Sequence, residues 1–403
     1  MNTIPVTAII PTYNRPEYLR QAVCSVLSQT RRPDEVIVID DGSTEDNEFV
    51  LAVFGSSIKL VKKKNEGKSV ALNAALGLAA HDYIWIVDDD DLAAPNGLSA
   101  LYSALEQDAA AGWAFGTCNR FFGEWRSTVT EPHPLFYSDV ENALKIRILE
   151  DFFIWQGAML VTKAAYKATG PFDTRLIRSQ DYDMLLRISR RYRGTPVSDT
   201  IFHQRHHGGT RGTSLTALAT TASVNNAWTS YNHVIFREIY KQYDLSEYVL
   251  GSDEARRMDP LTGLIQRGSI MARIGLWDEA TADFEEALEA FQTTDAPAVT
   301  EQAAYAVRRM FEPGGRANFN SRDDAKSFLA IFKNYPKAVR TQFLDEMFHY
   351  VPYRLRNSDT HARNQAIMMM RELASPKRLM NYALRKRRSG DLYQIAPDIV
   401  TPG

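Results

Sequence analysis

The first 90 residues alternate short apolar runs with segments whose apolar positions recur at helical spacing. The runs at 6–10, 35–39, 58–61 and 83–87 predict four strands, and the segments at 16–29 and 70–80 predict helices. Asn14 is expected to cap the first helix, with Pro16 in its first turn. Near-continuous apolar strands between helices indicate an α/β fold: a Rossmann-like, mostly parallel sheet with helices on both faces. Ligands of such a sheet bind where its strands end.

The pattern changes along the rest of the chain. Residues 108–156 are aromatic-rich and irregular, 157–161 predict a buried strand, and 181–191 predict a helix. Beyond about residue 215 strand signals disappear, so we predict an α/β domain over 1–215 and an all-α domain over 216–403. Residues 267–291 are typical of one tetratricopeptide-type helical hairpin. Without a visible second copy we expect a compact helical domain, a repeat array being the alternative.

Composition excludes several classes of protein. A hydrophobic content of 44% is enough for real cores and excludes a disordered chain. No apolar run is long enough to span a membrane, and the first residues do not resemble a signal peptide. Two cysteines fit a reducing compartment, so a cytoplasmic protein is expected. The net charge of -2, with no basic excess in either half, argues against a nucleic-acid partner.

Two polar clusters follow the first two predicted strands. Residues 11–15 (Pro-Thr-Tyr-Asn-Arg) lack the glycines of a dinucleotide-binding turn, and the ring of Tyr13 suits stacking on a base. An ordinary turn with helix-capping chemistry is the alternative. Residues 40–43 (Asp-Asp-Gly-Ser) offer carboxylates that accept hydrogen bonds from a ribose or a base. The alternative here is a routine Asp-Gly turn in which Ser43 caps a helix.

A third cluster, the acidic run 88–91 (Asp-Asp-Asp-Asp), follows the apolar strand at 83–87. Adjacent carboxylates repel one another by about 1 kcal/mol per close pair at a protein surface. A buried strand that ends in four of them favours a neutralising cation, and hard oxygen ligands favour Mg²⁺ or Mn²⁺. The alternative is a solvated acidic turn that caps the helix after Pro95.

Six elements appear in an order and at a spacing that resemble one family. They are 11–14 (Pro-Thr-Tyr-Asn), 38–43 (Val-Ile-Asp-Asp-Gly-Ser), 65–73 (Asn-Glu-Gly-Lys-Ser-Val-Ala-Leu-Asn), 88–91, 170–173 (Gly-Pro-Phe-Asp) and 180–183 (Gln-Asp-Tyr-Asp). From residue 7 to about 211 the chain resembles the family 2 glycosyltransferases, which have the GT-A fold. The resemblance therefore implies a GT-A domain and transfer of a sugar from a nucleotide diphosphate.

The resemblance implies nucleotide-binding roles for matching positions, which are Pro11, Thr12, Tyr13, Asn14, Asp41, Lys68, Asp89 and Arg211. Pro11, Tyr13 and Asp41 are implied to hold the base, while Thr12 and Asn14 support the turn. Lys68 is implied to approach the diphosphate or ribose, and Asp89 the ribose. Arg205 or Arg211 could pair with phosphate.

The resemblance also implies a metal site and a catalytic base. Asp88 and Asp90 match the Asp-x-Asp metal spacing, with Asp90 as the expected direct ligand of Mn²⁺ or Mg²⁺. The segment 203–211 adds His207 as a ligand, with His206 left open and a basic surface loop as the alternative. Asp181 matches the general base. Gln180 stands where many members have Glu, which leaves open how the pKa of the catalytic base is set.

We therefore expect an inverting, metal-dependent hexosyl- or N-acetylhexosaminyltransferase of polysaccharide biosynthesis. UDP-sugar is the expected donor, dTDP and GDP staying open, and the acceptor is a hydroxyl of a glycan or lipid-linked saccharide. Trp155 is either an acceptor contact or a core residue. The alternative function is a catalytically degenerate sugar-nucleotide-binding protein whose helical half is an interaction module. An aspartate-dependent phosphatase fits poorly, because Leu92 stands where that motif has Thr or Val.

One segment of the helical half carries a possible membrane signal. Residues 375–390 hold six Lys and Arg residues and no acid. A basic helix of this kind could lie on an anionic surface at the inner face of a membrane and bring the enzyme to a lipid-linked acceptor. A solvated face near the chain terminus is the alternative.

Overall fold

The computed structural model describes residues 4–122, 142–206, 223–293, 299–312 and 322–357. The chain divides into two compact units. The first comprises Met1–Tyr137 and Phe152–Tyr231, and the second comprises Ser138–Asp151 and Asn232–Gly403. The predicted division at 215/216 stays a prediction, because residues 207–222 lie outside the described part of the chain.

The first unit contains one eight-stranded sheet with the order β3-β2-β1-β4-β7-β6-β8-β5. Its strands are β1 Val6–Thr12, β2 Glu35–Asp40, β3 Lys59–Lys62, β4 Tyr83–Ile86, β5 Leu92–Ala93, β6 Ala111–Phe122, β7 Met159–Thr162 and β8 Arg193–His206. The four strands β3, β2, β1 and β4 are mutually parallel, whereas β7 runs antiparallel to both β4 and β6. The mostly parallel α/β fold is confirmed.

Helices cover both faces of the sheet. These are α1 Pro16–Leu27, α2 Asn47–Leu51, α3 Lys68–Leu78, α4 Gly97–Gln107, α6 Lys163–Thr169 and α7 Gln180–Arg191. Every residue of β1 is buried; Val6, Ala8 and Ile10 pack in one core with apolar residues of α1 and α4. Because successive strand residues point to opposite faces, Ile9 lies on the other side, where α3 packs on β1 and β2. Burial on both faces is why these strands read as continuous apolar runs.

Two long strands were not predicted from the sequence. The segment 108–156 contains β6, which is twelve residues long, and β8 follows α7 with fourteen residues. Glycines and polar residues interrupt both strands, and their parallel register is broken by irregularities near Phe115 and Thr117. Apolar periodicity over a short window therefore fails to mark them, although they pair along almost their whole length.

The described residues of the second unit are mostly helical, as the sequence predicted. Its helices include α5 Ala143–Glu150, α9 Asp253–Arg257, α10 Pro260–Ile274, α11 Trp277–Thr293, α12 Glu301–Phe311, α13 Arg322–Asn334 and α14 Lys337–Asn357, while α8 Ser223–Gln242 spans the division between the units. The hairpin α10–α11 occupies the tetratricopeptide-like segment. Further helices stack on it in two rows, α12 on α10 and α14 on α12, with α13 on α11.

A buried charged cluster links three helices of this unit. Arg273, with 1% of its surface exposed, donates from Nε to the carbonyl of Glu150 at 3.0 Å and from Nη1 to the carbonyl of Glu312 at 3.2 Å. Arg309 donates from Nε to the Glu150 carboxylate at 2.8 Å. Buried charges of this kind are tolerated because each is paired and hydrogen-bonded.

None of the helices in the described ranges combines the length and apolarity that a membrane crossing requires.

Candidate functional site

The three polar clusters meet at one edge of the sheet. Strands β2, β1 and β4 are parallel neighbours, so their carboxyl ends lie side by side. Thr12 pairs with Asp40 in the register of β1 and β2, and the amide of Val87 donates to the carbonyl of Ile9 at 3.0 Å, which carries β4 toward the acidic run. Parallel pairing alone therefore brings together residues that are up to 77 positions apart, as between Thr12 and Asp89.

The turn after β1 is cross-linked to the turn after β2. Asn14 has a left-handed backbone with φ of 52°, and its Oδ1 accepts from the amide of Thr44 at 2.7 Å. Ser43 Oγ accepts from the amide of Asn14 at 2.8 Å. The expected capping roles are therefore wrong: α1 has Arg15 at its N-cap without a side-chain cap bond, and Asp46 caps α2. Both polar side chains join the two turns instead.

Asp41 anchors the loop that leads to Lys68. Its buried carboxylate accepts from Lys63 Nζ at 2.7 Å and from the amides of Glu66 and Gly67 at 3.1 and 2.7 Å. The neighbouring Gly42 has φ of +79°, and a Cβ there would lie 2.6 Å from the amide nitrogen of Asn65. Only glycine fits this close approach of the two chain segments. The implied contact of Asp41 with a base stays a prediction.

The acidic run is built into the protein rather than solvated. Asp89, Asp90 and Asp91 are buried with 5%, 8% and 7% of their surface exposed, so the alternative of a solvated helix-capping turn is wrong. Helix α4 begins at Gly97 with no side-chain cap from its N-cap residue. Burying three adjacent carboxylates is costly unless cations and hydrogen-bond donors face them.

Thr12 and Arg15 provide such partners. Thr12 Oγ1 donates to Asp89 at 2.7 Å, and Arg15 Nη1 lies 3.0 Å from Asp89 Oδ1 and 2.8 Å from Asp90 Oδ2. Burial raises the pKa of Asp89 to about 6, against the opposing effect of Arg15. Both carboxylate oxygens of Asp89 are engaged inside the protein, and its implied ribose contact stays a prediction.

Arg205 supports the run from the other side. Its amide donates to Asp91 at 2.9 Å, and its Nε donates to the carbonyl of Asp90 at 3.0 Å. The guanidinium lies between the rings of Tyr18 and Phe121, 4.6 Å from each centroid. Since this side chain is buried with 4% exposed, it positions the acidic turn in this structure. Its open assignment as a phosphate partner stays a prediction.

Three carboxylates of the run converge closely enough for a divalent cation. One ligand oxygen from each of Asp88, Asp90 and Asp91 lies within 4.8 Å of the others. All three are hard oxygen donors, the kind that Mg²⁺ and Mn²⁺ prefer. The expected pair Asp88 and Asp90 is thus joined by Asp91. His207 lies outside the described residues, and His206 is exposed with its ring 4.7 Å from that of Phe122.

Lys68 and Asp181 both interact electrostatically with Asp88 of the acidic run. Lys68 is the first residue of α3, and its Nζ is 2.6 Å from Asp88 Oδ1. Burial lowers the pKa of Lys68, but the charges of Asp88 and Asp181 outweigh it and raise that pKa overall. Burial also raises the pKa of Asp181, an effect that the Lys68 ammonium opposes and that Asp88 reinforces.

The segment before α7 is fixed to α3, which explains how Asp181 reaches Lys68. Asn73 forms two hydrogen bonds with the backbone of Phe172, at 2.9 and 2.8 Å, and Ser69 Oγ donates to the carbonyl of Leu176 at 3.3 Å. Ser179 then adopts a left-handed backbone with φ of 60° directly before the helix. Such strain in a residue other than glycine is characteristic of functional sites.

The remaining predicted residues are placed with fewer contacts. Pro11 lies in β1 and Tyr13 in the turn that follows it, partly buried. Trp155 is partly buried, packs against the core of the first unit and has the guanidinium of Arg120 5.6 Å from its ring. Arg211 lies outside the described residues. The base-stacking role of Tyr13 stays a prediction.

Sequence reasoning missed what Arg15 and Asp91 do. Arg15 was visible as the last residue of the turn after β1, and Asp91 as the last of the acidic run. A buried run of four carboxylates requires counter-charges, so the nearest cation after a neighbouring parallel strand was the available signal. The register of β1 and β4 was needed to show that Arg15 is that cation.

A mostly parallel sheet with an acidic turn after β4 agrees with the GT-A fold that the sequence predicts. Residues 7–167 match the sequence model of glycosyl transferase family 2. The chain therefore carries a domain that belongs to the family 2 glycosyltransferases. This confirms the family resemblance, and the match includes the four motifs between residues 11 and 91, whereas those at 170–173 and 180–183 lie beyond it.

Several curated proteins are similar to this chain. The chondroitin synthase of Pasteurella multocida is 26% identical over 261 residues, which are 64% of this chain and 26% of that protein. The hyaluronan synthase of Pasteurella multocida is 25% identical over 261 residues, with the same coverage of 64% and 26%. The chain thus spans about a quarter of the length of these two relatives.

A solved structure supports the fold. The crystal structure of S. aureus TarS 1-349 in complex with UDP-GlcNAc has a TM-score of 0.51 to this protein and 15% sequence identity. The match covers 94% of this chain and 92% of that chain. At this identity the likeness concerns the fold alone, and it agrees with the GT-A assignment.

Proposed function

We propose that this protein transfers a sugar from a nucleotide diphosphate to an acceptor hydroxyl by an inverting, metal-dependent displacement. The observation that carries the proposal is the position of Asp181, whose pKa is raised by burial beside Lys68 and Asp88. Asp181 belongs to α7 and not to the acidic run, so the base and the diphosphate-binding region would be different groups. That separation is what a single displacement requires.

Asp181 is the general base of this proposal. It accepts the proton of the acceptor hydroxyl as the oxygen attacks the anomeric carbon from the face opposite the diphosphate. One displacement of this kind inverts the anomeric configuration. A raised pKa makes a carboxylate a stronger base, which assists proton transfer near neutral pH.

The acidic run is proposed to hold Mn²⁺ or Mg²⁺ through Asp88, Asp90 and Asp91, with His207 as a further ligand. The three oxygens within 4.8 Å fit such an ion in number and chemistry. A bound divalent ion supplies neutralising charge for the leaving diphosphate. Lys68 adds a second positive charge next to Asp88 and is proposed to contact the diphosphate or ribose.

The donor is proposed to be a UDP-sugar, with the base held by Pro11, Tyr13 and Asp41. TarS was solved with UDP-GlcNAc, and two relatives are named chondroitin synthase and hyaluronan synthase. These names support a nucleotide sugar as donor and make UDP-GlcNAc the first to test. A hydroxyl of a glycan or lipid-linked saccharide is the proposed acceptor.

The proposal is tested by nucleotide release from a panel of UDP-, dTDP- and GDP-sugars with Mn²⁺, with and without oligosaccharide acceptors. Asp181→Asn should lower the turnover number by about 10²–10⁴-fold, the usual contribution of a general base, and leave the affinity for UDP unchanged. The matched control is Asp199→Asn, since Asp199 is an exposed carboxylate on β8. Near-normal turnover of Asp181→Asn would refute the assignment of the base.

The same assay separates the enzyme from the degenerate binding protein. A degenerate domain binds a sugar nucleotide, seen as a thermal shift, but releases no nucleotide with any donor and acceptor. Asp181 with its raised pKa and the convergent carboxylates favour an active enzyme. The helical unit would then support acceptor binding rather than act alone as an interaction module.

A cytoplasmic location with peripheral attachment to a membrane is part of the proposal. The basic segment 375–390 lies outside the described residues, so its support is the sequence alone. Six positive charges without an acid favour contact with anionic lipid headgroups. Such contact would place the active site near a lipid-linked acceptor.

A further inference from the structure

The side chains of the acidic turn already have cationic partners inside the protein. Arg15 Nη1 bridges Asp89 Oδ1 at 3.0 Å and Asp90 Oδ2 at 2.8 Å, and Lys68 Nζ contacts Asp88 Oδ1 at 2.6 Å. The Arg15 side chain is 22% exposed, whereas those of Asp89 and Asp90 are 7% and 11% exposed. The ion pair therefore lies mostly out of water, where charges interact strongly.

Arg15 and a divalent cation would share one carboxylate, that of Asp90. Asp90 is one of the three residues whose oxygens converge for a divalent ion, and Arg15 occupies its Oδ2. A guanidinium and a divalent cation repel each other and compete for the negative charge of this carboxylate. Each can neutralise Asp90, so the two are alternative counter-charges of one carboxylate.

We propose that Arg15 is the resident counter-charge of the acidic turn, which a divalent ion displaces from Asp90 so that the guanidinium can pair with the donor's diphosphate. The inference rests on the proposed function and extends it to a residue outside the implied site. Arg15 follows the turn expected to hold the base and contacts the turn expected to hold the metal. A phosphate that shared a metal ion with Asp90 would come close to this guanidinium, and Arg pairs well with phosphate oxygens.

Loss of the Arg15 charge should strengthen Mn²⁺ binding to the nucleotide-free protein. Removing Arg15 takes one paired positive charge away from Asp90, so Mn²⁺ should bind the nucleotide-free protein more tightly in Arg15→Met, by about tenfold. The same variant should lose the tighter Mn²⁺ binding that UDP otherwise induces, because the displaced guanidinium is no longer there to meet the diphosphate. Linkage requires an equal fold-loss in the gain of UDP affinity that Mn²⁺ otherwise produces.

The experiment measures Mn²⁺ affinity by calorimetry and by electron paramagnetic resonance of free Mn²⁺, with and without UDP. Arg15→Met and Arg15→Gln remove the charge, Gln keeping a hydrogen-bond donor, and Arg15→Lys keeps the charge. Arg20→Met is the matched control, because Arg20 is an exposed cation in α1, the helix that directly follows Arg15. Circular dichroism shows which variants are folded, and Arg15→Gln serves if the Met variant is not.

The expected pattern is tighter Mn²⁺ binding for both neutral variants without UDP, affinity near wild type for Arg15→Lys, and no change for Arg20→Met. Unchanged or weaker Mn²⁺ binding by the folded neutral variants would overturn the inference while leaving the proposed function intact. If the wild-type protein itself binds no Mn²⁺ with or without UDP, the metal site is refuted and the inference with it.

Discussion

Replacing Asp41 by Asn tests whether the loop before Lys68 depends on a buried carboxylate. The substitution keeps the shape of the side chain but replaces one oxygen by an amide nitrogen and removes the charge. Asp41 accepts three hydrogen bonds, from Lys63 Nζ, the amide of Glu66 and the amide of Gly67. An Asn side chain must turn its NH₂ group toward at least one of these donors.

The expected loss in the free energy of unfolding follows from those contacts. If the Asn oxygen stays toward Lys63 and Glu66, the Gly67 amide faces another donor and loses its bond. The Lys63 bond also loses its charge assistance, although Lys63 keeps Glu66 as an ion-pair partner at 3.0 Å. A lost bond to a charged group and an unsatisfied amide together cost about 2–4 kcal/mol. With an m-value of about 2 kcal/mol per molar urea, the midpoint should fall by about 1–2 M.

Urea unfolding followed by tryptophan fluorescence measures this, because Trp85 and Trp113 are buried in the first unit. Asp46→Asn is the matched control: Asp46 caps α2 at an exposed position, and Asn caps a helix about as well as Asp. Asp41→Asn should also weaken UDP binding, since Gly67 is the N-cap of the helix that begins at Lys68. A midpoint no lower than that of Asp46→Asn would refute the reasoning.

Two further predictions concern pH and the C-terminal segment. Burial lowers the pKa of His203 from 6.5 to about 4, so below pH 6.5 the unfolded chain takes up a proton that the folded protein does not. Stability should therefore fall by about 2 kcal/mol between about pH 7 and pH 5, and His203→Gln should remove most of that fall in urea midpoints; an equal fall in both proteins would contradict it. Deleting residues 375–390 should abolish sedimentation with anionic vesicles, and unchanged sedimentation would exclude the membrane role of this segment.

The sequence determined the central strands because these are buried on both faces. Val6, Ala8 and Ile10 and the run from Tyr83 to Ile86 show continuous apolarity for that reason. Parallel order then placed the polar residues after each strand at one edge, which is why the turn after β1 and the acidic run could be assigned to one site. The hydrogen bond from Thr12 to Asp89 and the ion pair of Arg15 with Asp90 confirm that these two segments meet.

Only the tertiary structure decided which side chains meet. Local propensity assigned Asn14 and Ser43 to helix caps. In the structure the turns after β1 and β2 lie close together, and each of these side chains accepts a hydrogen bond from the other turn. The strands β6 and β8 were not predicted because each is stabilised mainly by pairing with the other. A short window of sequence does not show such long-range pairing. Arg15 became the partner of Asp89 and Asp90 through the register of β1 and β4, since the position of a charge in space depends on strand pairing and not on separation along the chain.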